Sequence, residues 1–185
     1  MRIEEDFTGK LEVPENALYG IHALRAKNNF PDQTPFPMEW YKAMGFVKKA
    51  CYLTCKHFVQ AARERYGKKE LPIALPDKKI LDNLIEASSE VIAGKHFEHF
   101  IVPAISGGAG TSINMNVNEI IANIALLNSG HKPGDYYMID PIAHANLFQS
   151  TNDVVPTALK VAVMFLLNEL EAGINQLRTE IERLE

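Results

Sequence analysis

Val163, Leu167, Leu170, Ile174, Leu177, Ile181 and Leu184 fall at intervals of 4-3-4-3-4-3. That spacing is the a/d seam of a coiled coil, an apolar edge that a helix buries against a second helix. Gly173 interrupts it at a cost of only about 1 kcal/mol in helix propensity. The pattern continues to Glu185 with no capping residue in sight. No other stretch of the chain carries a heptad of comparable length. The partner helix is therefore expected in another subunit, or in chain beyond Glu185. An oligomeric, mainly helical protein is the first expectation.

The rest of the composition agrees with an ordinary folded domain. The 185 residues are 46% hydrophobic and 23% charged, enough to build a sizeable core. A net charge of -4 gives no electrostatic basis for nucleic acid as a partner. No apolar run approaches the roughly 20 residues of a membrane span. The opening Met1-Arg2-Ile3-Glu4-Glu5-Asp6 is acidic and lacks the apolar core of a signal peptide. A cytoplasmic location without a membrane partner is expected. Cys51 and Cys55 lie i,i+4 in the helical series Met44, Val47, Cys51, Cys55, Phe58, Ala62. They read as buried reduced thiols on a core face.

Residues 2–14 suggest a small hairpin, with Phe7-Thr8-Gly9-Lys10 as its turn. Tyr19 to Ala26 is a short helical or irregular piece, in which His22 and Arg25 could reach an anion. A surface arginine is ordinarily just solvated. Three prolines make 28–37 a loop. Met38 to Tyr66 is a long amphipathic helix closed by Gly67, and 68–76 a connection. Asp77 caps a helix that runs to about Ala93 and stops at Gly94. The cluster Lys95-His96-Phe97-Glu98-His99-Phe100 contains metal-ligating types, but its spacing suits neither a helical His pair nor a zinc pattern. No metal site is assigned.

The chemistry concentrates in two polar runs. The first is Gly107-Gly108-Ala109-Gly110-Thr111-Ser112-Ile113-Asn114-Met115-Asn116-Val117-Asn118-Glu119. Its glycines permit positive φ and close approach of backbone amides to a ligand. Neutral donors and acceptors follow, then an apolar run, which places the patch near the start of a buried helix. Such a helix start favours a carboxylate or phosphate. The plainer alternative is a tight turn with Thr111 or Ser112 as an N-cap. The second run is His144-Ala145-Asn146-Leu147-Phe148-Gln149-Ser150-Thr151-Asn152-Asp153-Val154-Val155-Pro156-Thr157, with Gln149 to Asp153 as five consecutive polar residues ahead of the proline. Five hydrogen-bonding side chains exceed what one cap needs, and the proline is expected in the first helical turn.

These two runs, about forty residues apart, resemble the two N-terminal signatures of the aspartase/fumarase superfamily. The opening Arg2-Ile3-Glu4-Glu5-Asp6-Phe7, with Gly9, Val13-Pro14, Tyr19-Gly20-Ile21-His22, Leu24-Arg25-Ala26 and Asn29-Phe30, is closer to the aspartate ammonia-lyases than to class II fumarases. The resemblance implies a mainly α fold: a small N-terminal domain with a short hairpin, then the first long helix of a central oligomeric bundle. It sets the boundaries at 1–145 for the N-terminal lyase domain and 146–185 for the start of the bundle. It further implies a homotetramer, a small dicarboxylate or amino-acid substrate, and an elimination that yields fumarate without a cofactor. By match to the signatures, Thr111 and Asn114 bind substrate. Ser150, Thr151 and Asn152 bind the other carboxylate or the amino group. Fumarate hydration, another succinyl-substrate elimination, or a non-catalytic assembly role are the alternatives.

Two departures qualify these expectations. The family's glycine-serine-serine loop, which carries the catalytic base, and its methionine-proline-x-lysine-x-asparagine run are absent from the 185 residues. So is its threonine-histidine pair. The chain is accordingly expected to be the N-terminal portion of a longer enzyme, to hold no catalytic residue itself, and to be inactive alone. The stretch Asp140 to Phe148 also differs: the family usually has a more polar run here, and Phe148 stands where a small polar residue is usual.

Overall fold

The computed structural model describes residues 1–67, 69, 73 and 75–184. In chain order it places β1 (Arg2–Asp6), β2 (Gly9–Val13), α1 (Ile21–Asn29), α2 (Met38–Tyr66), α3 (Lys78–Ile92), a short 3-10 helix (Phe97–His99), α4 (Thr111–Asn128) and α5 (Thr151–Leu184). The chain is mainly helical, with one antiparallel hairpin as its sheet among the described residues. Most of the 68–76 connection lies outside the described residues.

The hairpin pairs Arg2 with Val13 and Asp6 with Gly9. Its turn closes because the Asp6 carboxylate accepts from the Thr8 amide at 2.8 Å and the Thr8 hydroxyl at 2.7 Å. On β1 the buried side is the polar one, while the facing residues of β2 are Leu11 and the fully buried Val13. Glu4 is buried while Ile3 is 69% exposed. The inversion follows from Arg2, which donates to the carbonyls of Pro14, Glu15, Ala17 and Tyr19 at 2.8–3.0 Å. A planar guanidinium with five donors can gather a loop in this way. Arg25, expected to be solvated or to meet an anion, forks instead onto Asp6 at 2.8 and 3.0 Å. The guanidinium and the Thr8 hydroxyl together hold the Asp6 carboxyl well below the usual carboxylate range.

The helices end where the sequence says they should. Gly67, at φ 62, closes α2. Asp77 caps α3 by accepting from the Lys79 amide at 2.6 Å. α2 and α3 cross closely at Gly45, where a Cβ would stand 2.8 Å from the Ile92 nitrogen. The buried stripe of α2 is Tyr41, Met44, Lys48, Tyr52, Cys55, Val59 and Ala62. That stripe is rotated from the expected one. Phe58 is exposed and Cys51 half-buried, whereas Lys48 and Tyr52 lie fully inside. The rotation puts the two groups with polar tips against the chain at 145–149, where carbonyl and amide acceptors await them.

α4 is the axis of the core. It is buried almost all round from Ile113 to Leu126, packed between α3 on one side and α1 and α5 on others. α5 is its opposite. Val154, Val155, Ala158 and Ala162 pack inward, and every described residue from Val163 onward is exposed. Leu170 is 58% and Leu177 61% exposed, so the a/d seam lies open along the length of the helix. No helix among the described residues is long and apolar enough to cross a membrane. His96 turns its Nε2 to Glu90 at 3.0 Å, while His99 Nδ1 accepts from the Leu18 amide at 3.4 Å.

Candidate functional site

Two helix starts meet at the junction of the polar runs. Gly108, Ala109 and Gly110 have φ of 82, 54 and 82°, a left-handed run that only glycine adopts without strain. Gly110 is also required by space, because a Cβ there would stand 2.9 Å from Val155 of α5. Its bare backbone lets the start of α5 lie against the start of α4. Gly110, rather than Thr111 or Ser112, is the N-cap of α4, and no side chain caps that helix. The Thr111 hydroxyl instead donates to the Gly108 carbonyl at 2.8 Å.

Ser150 caps α5. Its hydroxyl accepts from the Asn152 amide at 3.2 Å, and its carbonyl from the Asp153 and Val154 amides at 3.1 and 3.0 Å. The polar run does not precede the helix; it forms its first turn. Pro156 is therefore displaced into the second turn, inside the helix. Lacking an N–H, it leaves the Asn152 carbonyl without its helical donor.

The two runs are tied by side chains. Asn114 Nδ2 donates to Thr151 Oγ1 at 3.0 Å and to Asn146 Oδ1 at 3.0 Å. Asn118 Nδ2 reaches the same Asn146 oxygen at 3.2 Å. Beneath them Lys48 Nζ donates to Asn146 Oδ1 at 3.1 Å and Gln149 Oε1 at 2.8 Å. Lys48 is 0% exposed and has no carboxylate within ion-pair distance among the described residues. Burial lowers its amine to about 7, with the neighbouring Cys51 pulling the other way. Asn114 Oδ1 and Asn118 Oδ1 are buried without a donor among the described residues.

Of the five residues expected to bind substrate, Asn114 is buried and bonded to Thr151. Thr111, Ser150 and Asn152 are exposed around that bond. No bond directly joins Thr111 to the α5 residues among the described ones. Sequence reasoning did not single out Lys48 or Asn146. The signal for Lys48 was its place between Met44 and Tyr52, a cation four residues from each on an apolar stripe.

A second polar centre lies along α4 from this one. Glu119 is fully buried and accepts from the amides of Gly20, His22 and Ala23 at 2.8, 2.9 and 3.2 Å. Glu4 accepts from Ile21 at 2.7 Å. Burial pushes the Glu119 carboxyl up to about 8, while the three backbone donors hold it down and Glu4 adds to the rise. A cavity of about 540 Å³ opens beside Phe148, lined by apolar groups including Cys51, Phe58 and Leu147. It offers little to a carboxylate.

The arrangement at 110–114 and 150–152 can bind an anion. Two helix starts meet there, no side-chain carboxylate accepts from their amides among the described residues, and neutral hydroxyls and amides lie beside them with Asp153 in the first turn of α5. A family profile described as "Lyase" matches residues 9–185. An aspartate ammonia-lyase of Bacillus sp is 44% identical over 92% of this chain and 33% of that protein. The aspartate ammonia-lyase of Escherichia coli K12 is 41% identical over 99% and 36%. A solved fumarate lyase:delta crystallin from Brucella melitensis superposes with a TM-score of 0.84 at 33% identity, over 96% of this chain and 37% of that one. A class II fumarase from Schistosoma mansoni gives 0.68 at 27% identity, over 88% and 31%. The chain spans about a third of the length of the relatives it matches, and it belongs to this lyase family, the aspartase/fumarase superfamily.

Proposed function

We propose that the protein carrying this chain eliminates ammonia from L-aspartate to give fumarate, and that the chain supplies part of the substrate-binding surface. The observation that carries this is the Asn114–Thr151 bond, 3.0 Å long, at the meeting of two helix starts whose amides donate to no side-chain carboxylate among the described residues, Asp153 in the first turn of α5 being the one acidic group there. Thr111 and Asn114 on one helix, and Ser150, Thr151 and Asn152 on the other, are assigned to the substrate's carboxylates and amino group. Elimination of an amine next to a carboxylate passes through a dianion. Preorganised neutral donors in a site that excludes water stabilise such charge as it develops. The base that removes the proton is assigned to another part of the protein, and the chemistry calls on no cofactor.

Residues 1–145 are proposed as the N-terminal domain and 146–185 as the beginning of a helix bundle. The open seam of α5 supports assembly of copies, and the family resemblance supports a homotetramer working in the cytoplasm in amino-acid metabolism. The test is product analysis on the full-length protein. Ammonia and fumarate formed in equal amounts from aspartate is the expected result. Malate formed from fumarate, with no ammonia from aspartate, would make it a hydratase. Concentration-dependent helicity with no turnover and no stabilisation by dicarboxylates would leave only an assembly role.

A further inference from the structure

We propose that Lys48 is a positioning residue for the substrate-binding turn: from the interior of α2 it holds Asn146 and Gln149, and through them sets Ser150 and Thr151. The role presupposes the lyase reading above. A buried amine without a counter-ion is costly, so its retention at this point calls for a local reason. Its two acceptors supply one. Gln149 immediately precedes the cap of α5, and the Lys48 bond to its side chain is 2.8 Å. Asn146 takes Lys48 on the same oxygen that receives Asn114 and Asn118. Asn114 in turn holds Thr151. The path from Lys48 is thus three hydrogen bonds long to Thr151, through Asn146 and Asn114, and one hydrogen bond and one residue long to Ser150, through Gln149.

The turn has few other ties. Asn146 Nδ2 donates to the Gln149 carbonyl at 3.2 Å, which is internal to the turn. Tyr52, four residues after Lys48, donates to the Ala145 carbonyl at 2.6 Å. α2 therefore grips the segment at two points, and Lys48 is the one next to the site. Phe148, between its two acceptors, has φ 56, a left-handed conformation that is strained for an aromatic residue. Something must hold that turn in place, and the two Lys48 bonds span it.

The test compares wild type with Lys48→Met and Gln149→Met in the full-length protein. Gln149→Met breaks the same contact from the other side if Lys48→Met fails to fold. The expected result is a KM for aspartate raised 10-fold or more, kcat lowered less than KM is raised, and faster amide exchange confined to 146–154. Lys48→Arg, which keeps a donor, should recover part of the loss. Unchanged KM and exchange in a folded Lys48→Met variant would overturn the proposal while leaving the lyase reading intact. If wild type turns over neither aspartate nor fumarate, the lyase reading fails and the positioning of a substrate turn fails with it.

Discussion

The start of α1 and the starts of α4 and α5 are built on one physical principle and finished in opposite ways. All three are positive helix ends, where the first amides have no acceptor from a preceding helical turn. At α1 the protein brings its own carboxylates: Glu119 accepts from Gly20, His22 and Ala23, and Glu4 from Ile21. The place is full, buried and structural. At α4 and α5 no side-chain carboxylate takes the amides among the described residues; the cap residues are Gly110 and Ser150, and around them lie neutral amides and hydroxyls with Asp153 in the first turn of α5. Internal carboxyl groups close the first end; the function proposed above gives the others to the carboxylates of the substrate. The same helix, α4, supplies the plug for one end and the open surface for the other.

Removing the plug should give the largest effect. Glu119→Ala orphans three backbone N–H groups in the interior, each worth about 1–3 kcal/mol when unsatisfied. A loss of about 5 kcal/mol in denaturant unfolding is expected, without any direct change in the affinity of molecules that stay folded. Gly20→Ala attacks the same point by space. Its Cβ would stand 2.6 Å from the Tyr136 hydroxyl and 2.8 Å from Glu119 and Glu4 oxygens. A loss of about 1–3 kcal/mol follows from such overpacking.

The two buried ionisable groups should separate by pH. Burial lowers Lys48 from 10.5 to about 7. Between these values the unfolded chain takes up a proton that the folded chain refuses. Stability is therefore greatest above about 10.5, falls as pH drops to about 7, and is flat below. Burial raises Glu119 from 4.5 to about 8. Its contribution is fully present below 4.5 and is lost as pH rises through 8. Each shift corresponds to on the order of 5 kcal/mol. Unfolding free energies measured across the range should show Lys48→Met flattening the alkaline limb and Glu119→Gln flattening the acid-to-neutral limb. If neither variant changes either slope, the two centres are not titrating as their burial demands.

At the open helix ends the prediction reverses its balance between stability and activity. Thr151→Ala removes one neutral hydroxyl beside the proposed carboxylate. Loss of a donor that stabilises developing charge costs about 100- to 1,000-fold in rate, checked by initial rates of ammonia release in the full-length protein. Ser150→Ala should show a comparable rate loss and, as a lost cap, about 1 kcal/mol in stability. Equal losses of stability at Glu119 and Thr151 would mean that the two kinds of helix end are not different after all.

Much of this contrast was legible in the sequence, and the limits were physical. Helix ends were readable because Asp77 and Gly67 act locally. The glycine-rich run announced a left-handed turn because few other residues tolerate one. The rotation of α2 was not readable, since apolar periodicity assigns a lysine to the outside. Only the acceptors on Asn146 and Gln149, about a hundred residues away, turn Lys48 inward. Arg25 was not readable for the same reason: its partner Asp6 is tertiary. Pro156 was placed a turn early because a polar run reads alike whether it precedes a helix or forms its first turn.

The smallest effect belongs to the region that neither plug nor site explains, the outer half of α5. Gly173 sits in that helix with nothing within 4 Å of where a Cβ would be. Within the heptad it falls at a g position, one residue before Ile174 on the seam. Gly173→Ala removes backbone freedom from the unfolded chain and adds no clash within the subunit, so a gain of about 0.5–1 kcal/mol is expected. Thermal unfolding and sedimentation together check it. A higher melting temperature with unchanged association places the partner helix away from the g edge. A weakened association would instead mean that a partner backbone approaches within Cβ distance of Gly173. The open seam would then be a close-packed interface rather than a loosely covered one.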